Sequence, residues 1–495
     1  MVEIELKFQV PPAMRAQVAR AVGTATAVDT PMAARYFDTP ALHLARAGMA
    51  LRLRREGRQW VQTLKGRGDG LVARLEHEVA VPAPGGEPRL DPGRHDGTPA
   101  GLALRAALGD AAGALALRYE TRVRRTTLVL RHGGARIELA LDVGELRAGA
   151  LRRPLHELEF ELQGGPVAAL FDVAGRWAAR HALWLDVRSK AERGERLAQG
   201  WPAAWPAATA PTPRLAADLS PVQALGRMLQ AALEQALPNA AALADGAGAD
   251  DEKHLHQWRV GLRRLRSLLR VFPVAPEALA RDWDGRLARL ASVGAARRDR
   301  QVFDAALWPR LAAAGAPTID LPAVPPAGAV AATVAGGDWN ALVLELLAFV
   351  QRAAADPAPA PAPLTAWLGD TLGRLHRALG RDARRYAALD DAGRHKVRKR
   401  LKRLRYAVEG VASLAPRRRL REMLAALKTA QDALGVTNDL CVAEALLAGL
   451  DAEAPGVWFA RGWLAAQREG GAAAAARALA ALAAARPCWP DGRER

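Results

Sequence analysis

Cysteine is almost absent, with Cys441 and Cys488 the only two in 495 residues. That excludes a disulfide framework and any cysteine-based zinc spacing, and a reducing cytoplasm is the expected compartment. Long apolar runs are missing as well. No uncharged stretch is long enough to span a bilayer, and even the Ala-rich segment near 472–485 carries Arg477, so no membrane association is expected. The chain opens Met-Val-Glu-Ile-Glu-Leu-Lys, and charge from the third residue onward predicts no ordinary signal peptide. Acidic residues are short against basic ones, 52 to 70, leaving a formal charge of +18. Such an excess favours a polyanionic partner: nucleic acid, a membrane surface or a phosphate polymer.

At this length two or three domains are expected. Residues 1–200 alternate in the manner of strands, whereas nearly everything after about 215 has helical periodicity. Between them, Trp201-Pro202-Ala203-Ala204-Trp205-Pro206 with Pro211 and Pro213 predicts a linker over 201–215. A second Ala/Pro tract, Pro357 to Pro363, divides the helical region of 216–490 into parts of about 216–311 and 364–490. These parts are related. His256-x-x-Arg259-x-x-x-Arg263-Arg264-Leu265-Arg266 recurs 139 residues on as His395-x-x-Arg398-x-x-x-Lys402-Arg403-Leu404-Arg405. Trp258, Leu262, Leu265, Leu269 and Phe272 become Val397, Leu401, Leu404, Val408 and Val411 at the same offset. Two homologous helical bundles account for both stripes.

In the N-terminal region charges fall at every second position: Glu3-Glu5-Lys7, Arg52-Arg54, Lys65 after Thr63, Arg74-Glu76-Glu78, Glu138 with Asp142, and Glu157-Glu159-Glu161. Alternate residues of a strand share a face, and the intervening positions are largely Ile, Leu and Phe. One reading is an antiparallel sheet with its charged face in water. The other is a barrel with the charges inside, which suits a polyanion carrying metal ions: Arg and Lys grip phosphate oxygens and carboxylates hold Mg²⁺ or Mn²⁺. His43, His77, His132, His156 and His181 are scattered and read as structural or surface residues.

Glu3-x-Glu5-x-Lys7 resembles the ExExK signature of the CYTH superfamily, the triphosphate tunnel metalloenzymes. Tyr36-Phe37-Asp38-Thr39, Ala50-Leu51-Arg52-Leu53-Arg54, Thr63-Leu64-Lys65-Gly66, Arg74-x-Glu76-x-Glu78, Leu141-Asp142-x-Gly144, Glu157 to Leu162 and Ser189-Lys190-Ala191-Glu192-Arg193-Gly194 follow in the family's order. The resemblance implies an α+β protein with an eight-stranded antiparallel β-barrel, a tunnel for a linear triphosphate, over residues 1–200. It implies phosphate contacts from Lys7, Arg52, Arg54, Lys65, Arg125 and Lys190. It also implies Mg²⁺ or Mn²⁺ ligands at Glu3, Glu5, Asp142, Glu157 and Glu159. Arg74, Glu76 and Glu78 are tunnel residues expected to meet substrate. Arg122 and Arg124 crowd the strand of Arg125, and parity leaves open which of them faces inward. Water attack on so anionic a substrate needs charge neutralised, by Arg and Lys clamps and a metal, and no side-chain nucleophile is called for.

On a helical wheel His256, Arg259, Arg263, Arg266 and Arg270 form one stripe, and His395, Arg398, Lys402 and Arg405 another. Arg394 to Arg405 holds eight Lys or Arg and no acid, a density that costs stability through repulsion unless an anion is bound. A solvated basic face is the alternative. Trp258 and Phe272 lie on the apolar stripe, so no stacking platform for nucleic-acid bases is evident. The region resembles the CHAD domain, the conserved-histidine α-helical domain. The match runs through His256-Gln257-Trp258-Arg259, Arg263 to Arg266, Arg298-Asp299, His395 to Tyr406, Lys428, Gln431-Asp432, Leu434-Gly435 and Asn438-Asp439. It departs where Gly294 to Asp299 is one residue longer than Gly435 to Asp439. The resemblance implies an all-α domain of two four-helix bundles that binds inorganic polyphosphate through a basic groove. Arg264, Arg270, Arg403 and Lys428 are included among the expected contacts. Three functions stay open: a hydrolase of inorganic triphosphate with polyphosphate bound by the helical domain; a CYTH enzyme acting on ATP or thiamine triphosphate; and a polyphosphate-binding or granule-associated protein with a non-catalytic barrel.

Overall fold

The computed structural model describes residues 2–68, 70–83, 86–200, 205–246, 251–323, 328–356 and 363–489. Trp201 to Ala204 of the expected linker, and the Ala/Pro tract as far as residue 362, lie outside them. Nine strands are described: β1 (Val2–Gln9), β2 (Val28–Asp38), β3 (Ala50–Glu56), β4 (Gln59–Arg67), β5 (Ala73–Val81), β6 (Ala116–His132), β7 (Ala135–Ala148), β8 (Leu151–Gly164) and the two-residue β9 (Trp184–Leu185). They form one sheet in the order β5-β4-β3-β2-β6-β7-β8-β1-β9. β1 also pairs with β5, Glu3 opposite Arg74 and Ile4 opposite Ala73, so a short ladder joins the two ends of the eight-strand row. β9 is the strand beyond the eight expected, and it pairs with β1.

Both faces of the sheet are covered. Leu6, Phe8, Leu51, Leu64, Leu139, Leu158 and Phe160 are at most 1% exposed, and burial of each such side chain contributes about 1.5–3 kcal/mol. The helix Val167–His181 supplies part of this cover, with Trp177 edge-on to Phe160 at 6.1 Å. The charged face is buried as well: Lys7, Arg52, Asp142 and Glu157 are 5%, 9%, 0% and 0% exposed. A solvated charged face is thereby excluded for these strands.

The chain divides into two compact units. The first is Met1–Thr209 with Glu234–Gln257 and Ala331–Ala348; the second is Ala210–Leu233, Trp258–Val330 and Phe349–Arg495. Within the second, helices Leu364–Arg385, Asp391–Gly410, Arg417–Leu447 and Pro455–Ala484 pack in succession, the last returning against the first. Phe303, Leu307 and Leu311, which the sequence pattern puts in the earlier repeat, are buried with Leu440, Leu447, Val457 and Leu464 of these later helices. The one-residue difference between repeats has a structural counterpart. Gly294 adopts φ +69° between helices Glu277–Ser292 and Ala295–Val302, a left-handed conformation that favours glycine. Gly435 instead lies inside the continuous helix Arg417–Leu447. No single helix among the described residues is long and apolar enough to cross a membrane.

Candidate functional site

The alternation of β1 carries Glu3, Glu5 and Lys7 to the charged face, where ladder register decides their neighbours. Lys7 lies opposite Glu159, Gln9 opposite Glu157, and Glu157 opposite Asp142 on β7. Asp142 in turn lies opposite Arg125 on β6. Arg125 forks onto both Asp142 oxygens at 2.7 Å and reaches Glu159 at 2.7 Å. Arg122 and Arg124 have side chains 57% and 73% exposed, so Arg125 is the inward residue. Burial opposes its charge, yet Asp142 and Glu159 together hold its pKa well above the ordinary value.

Lys190 enters from the first turn of the helix Lys190–Ala198, which Ser189 and Glu192 start with a reciprocal capping box. Its ammonium lies 2.9 Å from Asp142, 3.1 Å from Glu157 and 2.5 Å from Glu159. Burial pushes the Glu159 carboxyl up, but Lys190 and Arg125 outweigh it and hold the group well below the carboxylate range. Arg193, one turn on, donates to buried Glu157, and burial draws its pKa down to about 10. Gly194 lets this helix approach β6, because a Cβ there would come within 2.2 Å of the Tyr119 ring. Lys7 donates to the Arg188 carbonyl and is 3.9 Å from Glu157.

A second group gathers on β3, β4 and β5. Lys65 bridges Glu3 at 3.0 Å and Glu76 at 2.9 Å. Arg54 pairs with Glu78 at 3.0 Å, and Arg52 donates to the Tyr36 hydroxyl at 3.2 Å. The side chain of Arg74 lies outside the described residues. Beside this group the register sets three carboxylates in a row, Glu5 opposite Glu161 and Glu161 opposite Glu138. Like charges so opposed repel. Burial first, then Glu3 and Glu138, push the Glu161 pKa up to about 7.

The structure thus brings together Lys7, Arg125, Lys190, Asp142, Glu157 and Glu159 in one ion-paired group, and Glu3, Arg52, Arg54, Lys65, Glu76 and Glu78 in a second. Among the described residues no three carboxylates are already gathered at ligating distance. The donor set still fits a hard divalent cation: it is all carboxylate oxygen, and Glu5, Glu161 and Glu138 lie opposite one another across the ladder. Glu161, Glu138 and Arg193 belong to the site beyond the residues assigned by motif. Strand parity was the available signal for the first two, and a spacing of three from Lys190 on a helix for the third.

In the second unit the two basic stripes approach one another. Burial, then Arg398 and Arg263, draw the Lys402 ammonium down to about 6, and Arg398 is lowered by burial and by Arg263 despite Asp439. Arg259, Arg263, Arg394 and Arg398 each bury an Nε with no hydrogen-bond partner. Burial and then Asp439 push the Asp299 carboxyl up, and burial pushes up Asp439, its equivalent in the second repeat. His395 is lowered by burial and then by Lys399 and Arg398. A cavity of about 300 Å³ adjoins, lined by His395, Arg398, Asn438 and Tyr386 among others.

The other expected contacts lie apart from this convergence. Arg266 and Arg270 share Asp284, at 3.1 and 2.5 Å, and Arg403 neighbours the same group. Arg264 and Arg405 pair with Glu409 at 2.7 and 2.8 Å. Lys428 pairs with Asp432 at 2.6 Å on an exposed helix face. His256 falls in the Glu234–Gln257 segment of the first unit.

The chain is 28% identical to an inorganic triphosphatase of Haemophilus influenzae over 201 residues, 39% of this chain and 54% of that protein; it therefore spans about half the length of the curated relative. Among solved structures, the CHAD domain of Ricinus communis is 29% identical, covering 58% of this chain and 99% of that one with a TM-score of 0.47. A Hippeastrum protein in which triphosphatase activity is dominant is 17% identical, covering 39% of this chain and 94% of that one with a TM-score of 0.29. Family models match residues 1–194 as a CYTH domain and residues 227–448 as a CHAD domain. The chain is a CYTH–CHAD protein, a tunnel-type antiparallel sheet followed by a basic helical domain.

Proposed function

We propose that the sheet domain hydrolyses inorganic triphosphate with Mg²⁺ or Mn²⁺, and that the helical domain binds inorganic polyphosphate. The observation that carries the first half is the buried mixed-sign face. Six cations, Lys7, Arg52, Arg54, Lys65, Arg125 and Lys190, share it with the carboxylates of β1, β5, β7 and β8. Buried ions persist only when paired, and here each cation pairs with carboxylates that a phosphate chain can replace. Arg125 presents a planar fork suited to two phosphate oxygens, whereas Lys7, Lys65 and Lys190 are point charges that follow the chain. Together they neutralise the oxygens that gain charge as the anhydride bond breaks.

Glu3, Glu5, Asp142, Glu157 and Glu159 would hold the metal, with Glu161 and Glu138 beside them, once a phosphate chain draws Lys65, Lys190, Arg125 and Arg193 away from their oxygens. The bound ion supplies charge neutralisation and a more acidic water. A base pocket for a nucleotide has no support among the described residues, where Tyr36 and Tyr119 beside the charged face stack on each other at 4.7 Å. Polyphosphate binding rests on the orphaned guanidinium nitrogens between the two stripes, and the cytoplasm, where such polymers are handled, is the proposed compartment. Phosphate release from tripolyphosphate, ATP and thiamine triphosphate, with and without metal, tests the first half. Salt-dependent retention of long-chain polyphosphate, with duplex DNA as competitor, tests the second.

A further inference from the structure

Lys7 is held by the segment that follows β9. Phe8 and Gln9 pair with Leu185 and Trp184, the Asp186 amide donates to the Lys7 carbonyl at 2.9 Å, and the Lys7 ammonium donates to the Arg188 carbonyl. This segment is itself seated by residues from far down the chain. The Leu185 amide donates to Asn340 Oδ1 at 2.8 Å, while Asn340 Nδ2 donates to the Gly336 carbonyl at 2.8 Å. Arg188, forked onto Asp186 at 2.8 Å, also reaches Asp245 at 3.1 Å. Asp245 holds Arg153 at 2.6 Å, and the Trp205 ring lies 5.0 Å from the Arg188 guanidinium. All of these residues lie within the first compact unit, yet Trp205, Asp245 and Asn340 all come after the CYTH match ends at residue 194.

We propose that Asp245, assisted by Trp205 and Asn340, is a positioning residue of the triphosphate site: by fixing Arg188 it aims the carbonyl that holds the Lys7 ammonium at the phosphate-binding face. The inference rests on reading that face as a triphosphate site. Arg188 is only 3% exposed in its side chain, so its guanidinium has no recourse to water if a partner is lost. Arg153 and Arg193 crowd the same place, and Asp245 opposes the burial that lowers both. Removing its carboxylate leaves three guanidiniums facing Asp186 and Glu157, and Arg188 shifts with its carbonyl.

The test uses the full-length protein. Asp245→Asn keeps shape and removes charge; it should raise KM for tripolyphosphate about tenfold with kcat little changed, the signature of lost uniform binding. Asp245→Glu should return KM to within about threefold of wild type, and Trp205→Leu, which leaves every charge in place, should raise it about threefold. A purely structural role would lower the melting temperature and the active fraction while leaving KM alone, and that result overturns the proposal. The half-saturating tripolyphosphate concentration for thermal stabilisation in EDTA, a readout without turnover, should move with KM. If the wild type neither hydrolyses tripolyphosphate nor is stabilised by it, the triphosphate reading falls and this proposal with it. If the wild type does both and the Asp245→Asn and Trp205→Leu values match it, this proposal alone falls.

Discussion

The proposed polyphosphate binding should depend on pH through Lys402 in a way that can be worked out in advance. Burial and the facing Arg398 and Arg263 lower its ammonium to about 6, so the free protein carries it largely neutral at pH 7.5. A bound phosphate chain supplies the missing counter-charge and restores the proton. Binding is then coupled to the uptake of one proton at this site, and affinity should fall about tenfold per pH unit once the pH exceeds the free-state value. Between pH 6.5 and 8.5 the loss is on the order of 10²-fold. The sign for stability is opposite. A lysine whose folded pKa is depressed binds fewer protons than the unfolded chain, so its contribution improves as pH rises from about 6 toward the ordinary lysine value. Lys402→Met should therefore raise the melting temperature of the ligand-free protein at neutral pH and flatten the pH profile of binding. His395, Asp299 and Asp439 also face the stripe, so comparison with the substituted protein isolates Lys402. Calorimetry with polyphosphate of defined length at four pH values in one salt concentration measures the slope. Equal slopes in wild type and Lys402→Met would refute the reasoning.

Further outcomes follow from the same structure. Arg125→Ala should lower kcat/KM for tripolyphosphate at least about 10²-fold by removing a buried phosphate clamp, whereas Arg124→Ala should stay within about twofold; comparable losses would mean the inward assignment is wrong. Glu161→Gln should raise the Mg²⁺ or Mn²⁺ concentration for half-maximal rate about tenfold or more, and an unchanged metal requirement in titration would remove Glu161 from the metal set. Gly194→Ala should cost about 1–3 kcal/mol through the clash with Tyr119, read as a lower denaturation midpoint.

Strand alternation was enough to sort the charged residues onto one face, because a period of two leaves each only one side to occupy, but not to say whether that face met water or a lumen. It could not choose among Arg122, Arg124 and Arg125 until the register with β7 placed Arg125 opposite Asp142. Cross-strand neighbours are a property of the sheet, and for the same reason the Glu5–Glu161–Glu138 row was invisible as a cluster. In the helical region the repeat disclosed both basic stripes but not the acids that pair with part of them. Arg266 and Arg270 meet Asp284, and Arg264 and Arg405 meet Glu409, acids whose positions in sequence give no hint of that pairing. Trp205 carries the same lesson. Proline density marked its surroundings as a linker, but its ring covers Arg188, and Ala208 is held through Asn239 at 2.9 Å. The seat beneath Lys7 draws on residues 205, 245 and 340, separations over which local periodicity carries no signal.

The most direct test of the central claim is phosphate release from inorganic tripolyphosphate by the purified protein in Mg²⁺ or Mn²⁺, beside the Lys65→Ala protein and an EDTA control. The account predicts rapid metal-dependent release with ATP a poor substrate, a rate at least about 10²-fold lower in Lys65→Ala, and none in EDTA. Release at the wild-type rate from Lys65→Ala, or undiminished in EDTA, would contradict it.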